Sequence, residues 1–248
     1  MASPTRLTSG FTQDAKFQPL GNIGIPNPFF YSDLSDDFIP YRVGDYTVTA
    51  AGGSIAAAAA STANGTGGRI LFTTGAIATN FAALQSVVAT HVKVIGKKLV
   101  FLTRIQAADV TNSIIQVGLI QTSATPYTVT DGIYLLKAAG AATVQLRIVT
   151  ASALIGSVTL PASMVIGTDV DLGFVVDQYG NVKAFMGSPL VGPIRQDFAV
   201  LGPSAGVLNS ALTGVLTTVG LNPSLAIQAN SNAVQTMLSD FFLTAQER

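Results

Sequence analysis

Cysteine and tryptophan are absent from this sequence of 248 residues, and histidine and glutamate occur once each, as His91 and Glu247. Without cysteine the chain has no disulfide, no thiolate nucleophile and no cysteine-ligated metal site. A single imidazole without clustered carboxylates cannot form the usual zinc site. A catalytic pair of carboxylates would have to be built from aspartates. These absences predict a protein that is not an enzyme and needs no cofactor.

Charge is also scarce and unevenly placed. Asp, Glu, Lys and Arg make up 10% of the chain, against roughly a quarter of ordinary globular domains. Arg69 is the only charged residue between Asp45 and Lys93, and residues 198–239 contain none. One explanation is a compact neutral protein. We favour the other, a subunit partly covered by further subunits, because charged residues are depleted from permanent interfaces.

The overall charge and hydropathy argue against two classes of partner. The formal net charge is zero and the pI is near 6.5, so the basic surface that attracts DNA or RNA is missing and we expect no nucleic-acid partner. Nowhere do eighteen apolar residues follow one another, and residues 1–20 lack the basic start and apolar run of a secretory signal. The sequence therefore predicts neither membrane insertion nor export.

Residues 1–43 are rich in proline and aromatic side chains. Prolines interrupt each candidate helix or strand in this segment, which indicates an extended arm. Aromatic residues are rare in disordered tails, so the arm is expected to dock, either on the body of its own subunit or on a neighbour. The candidate anchors for a neighbouring subunit are Phe11, Phe17, Phe29, Phe30, Tyr31, Phe38 and Tyr41.

The remainder of the chain, residues 44–248, shows the two-residue alternation of β-strands. The clearest example is residues 169–187, where two alternating segments flank the polar loop Gln178, Tyr179, Gly180 and Asn181, a pattern that predicts an antiparallel hairpin. Further strands are predicted at 45–50, 54–60, 69–74, 82–89, 99–105, 114–121, 133–137, 144–148, 154–160, 224–228 and 234–244. Residues 207–219 fit either a short helix or an irregular loop.

Many short strands separated by turn residues, without an amphipathic helix of ordinary length, predict an all-β fold. An antiparallel β-sandwich or jelly roll preceded by an extended arm is the favoured architecture. A barrel is the alternative that the pattern leaves open. The predicted boundary between arm and sandwich lies at residues 43 and 44.

Several of the predicted strands and turns carry a family resemblance. They are residues 97–104 (KKLVFLTR), 117–119 (VGL), 130–137 (TDGIYLLK), 171–174 (DLGF), 177–182 (DQYGNV) and 239–248 (SDFFLTAQER). Together they resemble virion structural proteins of tailed bacteriophages that have a concanavalin A-like β-sandwich. The resemblance covers about residues 44–248, and none of its motifs carries catalytic chemistry.

The resemblance implies a structural role in a virion. Members of this family are commonly parts of the phage head. We therefore expect a capsid decoration or cement protein that binds the major capsid protein and stabilises the head. The implied assembly is a homo-oligomer, dimer or trimer. The implied location is the head surface, after synthesis in the host cytoplasm.

The alternative function is a carbohydrate-binding adhesin or tail-fibre component that attaches to a host surface glycan. The same fold class includes lectins, and carbohydrate sites present aromatic faces beside polar groups. Because tryptophan is absent, the candidate aromatic residues are Tyr127, Tyr134 and Tyr179. The structural role is favoured because charge is sparse and the arm is aromatic.

Aspartates offer the only candidate metal ligands. Asp169, Asp171 and Asp177 are predicted to share the outward face of one strand. A solvent-exposed strand face without a metal would show the same arrangement. Asp131 has loop oxygens near it in sequence. Either group could bind calcium only with the dense alternation of Asp and Asn typical of a calcium loop, and that alternation is missing. We therefore expect no metal site.

Overall fold

The structure is a computed structural model. It describes residues 31–36, 38, 43–57, 68–87, 91–92, 94, 96–178, 180–187, 199–201 and 219–247. Within these residues the chain forms fifteen strands, one short 3-10 turn at Val43–Asp45 and no α-helix. No helix in this part of the chain is long and apolar enough to cross a membrane.

The strands are numbered in the order in which they occur along the chain. They are β1 Tyr31–Asp36, β2 Tyr46–Ala51, β3 Ser54–Ala57, β4 Ile70–Thr73, β5 Phe81–Ser86, β6 Leu99–Ala107, β7 Ser113–Ile120, β8 Gly132–Lys137, β9 Thr143–Thr150, β10 Ala153–Ser163, β11 Asp169–Val176, β12 Val182–Gly187, β13 Ala199–Leu201, β14 Asn222–Ala229 and β15 Thr236–Glu247.

These strands form two antiparallel sheets packed face to face. Sheet A has eight strands in the order β13-β12-β11-β6-β15-β4-β3, with β1 also paired to β15. Sheet B has seven strands in the order β10-β9-β8-β7-β14-β5-β2. The architecture is the antiparallel β-sandwich that the strand pattern predicts.

Two-residue alternation places one set of apolar side chains from both sheets in the core between them. On sheet A the rings of Phe101 and Phe174 stack with centroids 5.5 Å apart, and both residues are fully buried. Sheet B contributes Val117, Leu135 and Leu146 to the same core. Each such side chain stabilises the fold by roughly 1.5–3 kcal/mol on burial.

The predicted hairpin at residues 169–187 is confirmed as β11 and β12, paired from Asp171 with Gly187 to Val176 with Val182. Gly180 supplies the positive φ, 84°, that this turn requires. Asp177 closes the turn, because its carboxylate accepts hydrogen bonds from the backbone N–H of Asn181 at 2.8 Å and from the Asn181 side chain at 2.7 Å. That carboxylate therefore has a structural role.

The other predicted strands are found with shifted ends. The strand predicted at 54–60 is described as far as Ala57, and residues 58–60 lie outside the described part of the chain. The same holds for residues 88–89 at the end of the strand predicted at 82–89, and for residues 207–218, where a helix or loop was predicted.

The predicted arm boundary needs correction. Strand β1, Tyr31–Asp36, pairs with the C-terminal half of β15, where the shorter β4 leaves that edge open. Phe38 is buried in the core, with its ring 5.8 Å from the Phe242 ring and 6.3 Å from the Tyr46 ring. Residues 31–36 and Phe38 therefore contribute to the sandwich, which begins before residue 44.

The alternation of β11 predicts a half-buried strand, but the structure shows a fully buried one. All eight of its residues are buried. The reason is that the outer face of sheet A carries a second apolar cluster beside β11, formed by Val100, Leu102, Val175, Phe185, Leu243 and Ala245. The ring of Phe185 lies over Gly173, where an added Cβ would come within 2.3 Å of it.

Candidate functional site

A line of polar residues crosses the outer face of sheet B. Strand register places one residue from each strand side by side, from Thr47 on β2 to Ser157 on β10. The members, which we call the polar row, are Thr47, Gln85, Ser224, Gly118, Tyr134, Arg147 and Ser157. Apart from Arg147, all are uncharged.

The loop between β7 and β8 lies on top of this face. We call residues 121–131 the flap. Its base is closed by a hydrogen bond from the Gln121 N–H to the Asp131 carbonyl at 2.9 Å, and its tip by one from the Thr128 N–H to the Thr125 carbonyl at 2.8 Å. Val129 anchors the flap by packing against Ile120 and Tyr134.

The flap contacts the sheet along its length. The Ser123 N–H donates to the side-chain oxygen of Gln85 at 3.1 Å, and the side-chain amide of Gln116 donates to the Pro126 carbonyl at 2.7 Å. Near the tip, the Tyr127 ring stands edge-on to Phe81 with centroids 6.0 Å apart. The flap therefore covers the middle of the polar row.

Amide side chains are buried beneath the flap. Gln85 and Asn222 have relative exposures of 0% and 1%, and Ser224 beside them has 0%. Among the described residues, Gln85 Nε2, Asn222 Oδ1 and Ser224 Oγ have no hydrogen-bond partner. An unpaired buried polar group costs about 1–3 kcal/mol of stability, so three of them in one place call for a functional explanation.

The sugar-binding hypothesis requires exposed tyrosine rings, and neither Tyr127 nor Tyr134 is exposed. Tyr127 donates its hydroxyl to the Ile114 carbonyl at 3.3 Å, and burial raises its pKa well above the usual value. Tyr134 is 6% exposed. Burial raises its pKa, an effect that the charge and hydrogen bond of Arg147 oppose. Tyr179 lies outside the described residues.

Asp131 has a structural role at the base of the flap. Its Oδ1 accepts hydrogen bonds at 3.1 Å from the Thr150 hydroxyl and from the Ala151 N–H. These bonds support the β9–β10 turn, in which Ala151 and Ser152 both have positive φ, 47° and 65°. The carboxylate thus holds a strained turn, and no group of three His, Asp or Glu side chains that could hold a metal occurs in the described chain.

The outer face of sheet A carries buried ion pairs. Arg104 binds Asp171 through two hydrogen bonds of 2.7 and 3.2 Å, and Asp240 lies 3.6 Å from the same guanidinium. Arg69 binds Asp169 at 2.8 Å. The interpretation of Asp169 and Asp171 as a solvated face is therefore wrong, because both are 7% exposed and paired with arginines from other strands or loops.

The environment of Arg104 reinforces its charge. Burial lowers its pKa, but the hydrogen bond and charge of Asp171 outweigh that effect, so the pKa of Arg104 lies above its ordinary value. The guanidinium also lies 5.5 Å from the centroid of the Phe241 ring, in cation–π contact. Asp171 and Arg104 are thus committed to each other and do not form a general acid and base.

Two further titratable groups are buried. Burial lowers the pKa of His91 to about 4, with the Gln246 side chain opposing the shift, and the His91 backbone bridges to Leu221. Burial also lowers the pKa of Lys137 to about 8; its amine donates to the Ser113 carbonyl. Neither group lies beneath the flap.

One end of the sandwich is almost free of charge. It is formed by the loops at 74–80, 108–112, 138–142, 164–168 and 230–235, which we call the uncharged end, and Asp109 is the only charged residue in these five loops. It collects four of the exposed large aliphatic side chains of the described chain. They are Ile77, Val165, Ile166 and Val234, each more than half exposed.

Backbone hydrogen bonds join these five loops to one another and to nearby strands. The Gly140 N–H donates to the Thr111 carbonyl and the Asn230 N–H to the Asn112 carbonyl, both at 2.8 Å. A further bond of 2.9 Å runs from the Gly167 N–H to the Ala107 carbonyl. The apolar side chains at this end are therefore presented on ordered backbone.

Of the aromatic arm residues predicted to anchor a partner, Phe38 contributes to this chain's own core instead. Tyr31 lies in β1, of which the backbone is described. The remaining candidates, Phe11, Phe17, Phe29, Phe30 and Tyr41, lie outside the described residues.

Sequence reasoning missed the residues beneath the flap. Gln85, Gln116, Asn222 and Ser224 belong to no motif, and amide and hydroxyl side chains occur on ordinary strand surfaces. The available signal was the alternation of β14, where Asn222, Ser224 and Gln228 share one face and Leu225 and Ile227 the other. That pattern identifies a polar face without showing what covers it.

Comparison with solved structures places this architecture in a known class. The chain is similar to an endo-1,3-β-glucanase from Streptomyces sioyaensis (TM-score 0.57, 12% identity, 89% of this chain and 98% of that one). It is also similar to lectin II from Ulex europaeus (0.55, 9%, 87% and 98%). The fold is thus a lectin-like β-sandwich of the jelly-roll type.

A neighbour from a phage is also present. The CBM2 module of the evolved Dit protein of Lactobacillus casei BL23 phage J-1 matches with a TM-score of 0.53 and 9% identity, over 87% of this chain and 96% of the module. At these identities the similarity shows the fold alone. No family model matches the sequence, and no curated protein matches it significantly.

Proposed function

We propose that the protein is a structural subunit of a tailed-phage virion, a capsid decoration or cement protein that binds the major capsid protein and acts as a homo-oligomer. The observation that carries this proposal is the uncharged end, where Ile77, Val165, Ile166 and Val234 are exposed on ordered loops. Apolar side chains without neighbouring charge are typical of the centre of a protein interface.

The ion pairs and the flap support a role without catalysis. Four aspartate carboxylates have structural roles. Those of Asp131 and Asp177 accept hydrogen bonds from turn N–H groups. Those of Asp169 and Asp171 bind arginines. The middle of the outer face of sheet B is covered by the flap. These aspartates are therefore engaged in structural contacts, which suits assembly better than catalysis.

The uncharged end can be tested by placing charge on it. Ile77→Asp together with Val165→Asp should lower binding to heads that lack this protein by at least tenfold, measured by co-sedimentation, because both carboxylates would have to be desolvated. Leu154→Asp is the matched control, since Leu154 is 53% exposed at the opposite end of the sandwich. Binding that survives the double variant would contradict the proposal, as would immunogold label confined to the tail.

The arm remains part of the proposal through Phe11, Phe17, Phe29, Phe30 and Tyr41 as anchors in a neighbouring subunit. Because β1 begins at Tyr31, deletion of residues 1–29 should leave a soluble protein that melts cooperatively but no longer binds heads. Deletion of residues 1–43 should instead destabilise the fold, since it also removes β1 and Phe38. Unchanged head binding after the shorter deletion would eliminate Phe11, Phe17 and Phe29 as anchors.

The second candidate function is a carbohydrate-binding adhesin or tail component for host attachment. The observation in its favour is the fold shared with a plant lectin and with a module of a phage Dit protein. A glycan array combined with localisation on virions separates the two: glycan binding with label at the tail tip supports the adhesin, and label on the head supports the capsid role.

A further inference from the structure

The orientation of two buried amides beneath the flap is determined by their partners. The Gln85 side-chain oxygen must face the Ser123 N–H, which donates to it at 3.1 Å, so its Nε2 points elsewhere. The Asn222 Nδ2 must face the Ser86 carbonyl and the Thr122 hydroxyl, both at 2.6 Å, so its Oδ1 is the atom left over. These two atoms have no partner among the described residues, and a flip of either amide would break the bonds that already exist.

Ser224 lies between these amides. It is opposite Gln85 in the strand register, which brings their Cβ atoms within about 4.5–5.5 Å. It is also two residues from Asn222 on β14, so both side chains leave the same face. Its hydroxyl, fully buried, has no partner in the described chain.

Gly118 follows Ser224 in the polar row and is closely packed. An added Cβ there would lie 2.5 Å from the Ile133 carbonyl oxygen and 2.7 Å from the Tyr134 Cβ. Glycine is therefore required at this position, and Ser224 and Tyr134 are the row members that carry side chains on either side of it.

We propose that the polar row beneath the flap binds a neutral polyhydroxylated ligand, of the chemical class of a single sugar unit. Gln85 Nε2 offers a donor, Asn222 Oδ1 an acceptor, and Ser224 Oγ either. Hydroxyl groups, which both donate and accept, satisfy all three. None of the three groups is charged, which selects against phosphate and carboxylate ligands.

Entry to this site requires the flap to lift. The flap is held to the sheet by the Ser123–Gln85 and Gln116–Pro126 hydrogen bonds and by the Tyr127 contacts. A bound hydroxyl replaces the hydrogen bond lost when Ser123 leaves Gln85. Farther along the row, Tyr134 and Arg147 continue the polar surface beyond Gly118.

The test uses the full chain and isothermal titration with glucose, galactose, mannose, N-acetylglucosamine and glycerol as probes. At least one sugar should bind, and Ser224→Ala should weaken that binding at least tenfold. Ser157→Ala is the matched control, since Ser157 is in the same row but exposed; it should leave affinity unchanged. Gln85→Glu, which keeps the acceptor for the Ser123 N–H and removes the donor, should also weaken binding.

Two results overturn the inference. One is the absence of binding by every probe; the other is a sugar that binds Ser224→Ala as tightly as the unaltered protein. Amide exchange at Ser123 gives a separate readout, because ligand entry must change the protection of the N–H that contacts Gln85. Head binding measured on the same variants tests the capsid proposal independently, because the variants leave the uncharged end intact.

Discussion

The two outer faces of the sandwich solve the same problem in different ways. Each sheet must cover polar strand groups on the side away from the core. Sheet A uses charge, with Arg104 bound to Asp171 and Arg69 bound to Asp169. Sheet B uses neutral amides and a covering loop, with Gln85 and Gln116 bonded to the flap.

The difference shows what each face can do. Buried charges are stable only when paired, so the groups on sheet A are locked to one another. Neutral amides can exchange one hydrogen-bond partner for another at small cost. A face built from amides beneath a loop can therefore open to a ligand, whereas the face built from ion pairs serves to hold strands together.

The largest expected effect comes from breaking the charged face. Asp171→Ala should lower the free energy of unfolding by about 3–5 kcal/mol, because it leaves the part-buried Arg104 without its bidentate partner. Urea unfolding followed by fluorescence or circular dichroism measures this. Asp45→Ala, at an exposed position, is the control and should change stability by less than about 0.5 kcal/mol. An equal decrease in the free energy of unfolding in both variants would show that the Arg104–Asp171 ion pair contributes no more to stability than an exposed aspartate does.

Acid should act next most strongly, through a residue outside both faces. The folded pKa of His91, about 4, lies below its usual value of 6.5. The unfolded chain therefore binds a proton that the folded protein does not, and stability falls as pH decreases from about 6.5 to about 4, by roughly 3 kcal/mol. Unfolding curves across this range measure the slope. A His91→Leu variant should lose most of it; an unchanged slope would assign the acid sensitivity to other groups.

The smallest effect is expected on the amide face. Gln116→Leu should lower the free energy of unfolding by about 2 kcal/mol, because the Pro126 carbonyl loses its donor under the flap. The flap should also become sensitive to protease. Gln145→Leu is the matched control on the same face, where the side chain is partly exposed and bonds Arg147. Protease cleavage within residues 121–131 in both variants, or in neither, would contradict the assigned role of Gln116.

Much of the sandwich could be predicted because alternation is a local property. The hairpin of β11 and β12 follows from its own residues, with Gly180 at the turn. The β1 strand was missed because Tyr31–Asp36 lies among prolines and aromatics and is a strand only by virtue of pairing with β15. A segment that takes its structure from a distant partner leaves little trace in its own sequence.

The candidate site was less predictable than the fold. The pairing of Arg104 with Asp171 joins residues 67 positions apart, and that of Gln85 with Ser123 joins residues 38 apart. Alternation predicts that these side chains point away from the core, and from alternation alone we expect them to contact solvent. The actual partners depend on which strands become neighbours and on where the flap lies.

The sequence alone determined the fold class and the neutral, cysteine-free chemistry of this protein, since period-two patterning and composition do not depend on distant contacts. The tertiary structure decided which polar residues are paired and which are left beneath the flap. It also gathered Ile77, Val165 and Val234, from three separate loops, at one end. The physical reason is that burial and hydrogen bonding of outward side chains are set by strand order and loop packing, and these arise only when both sheets have formed.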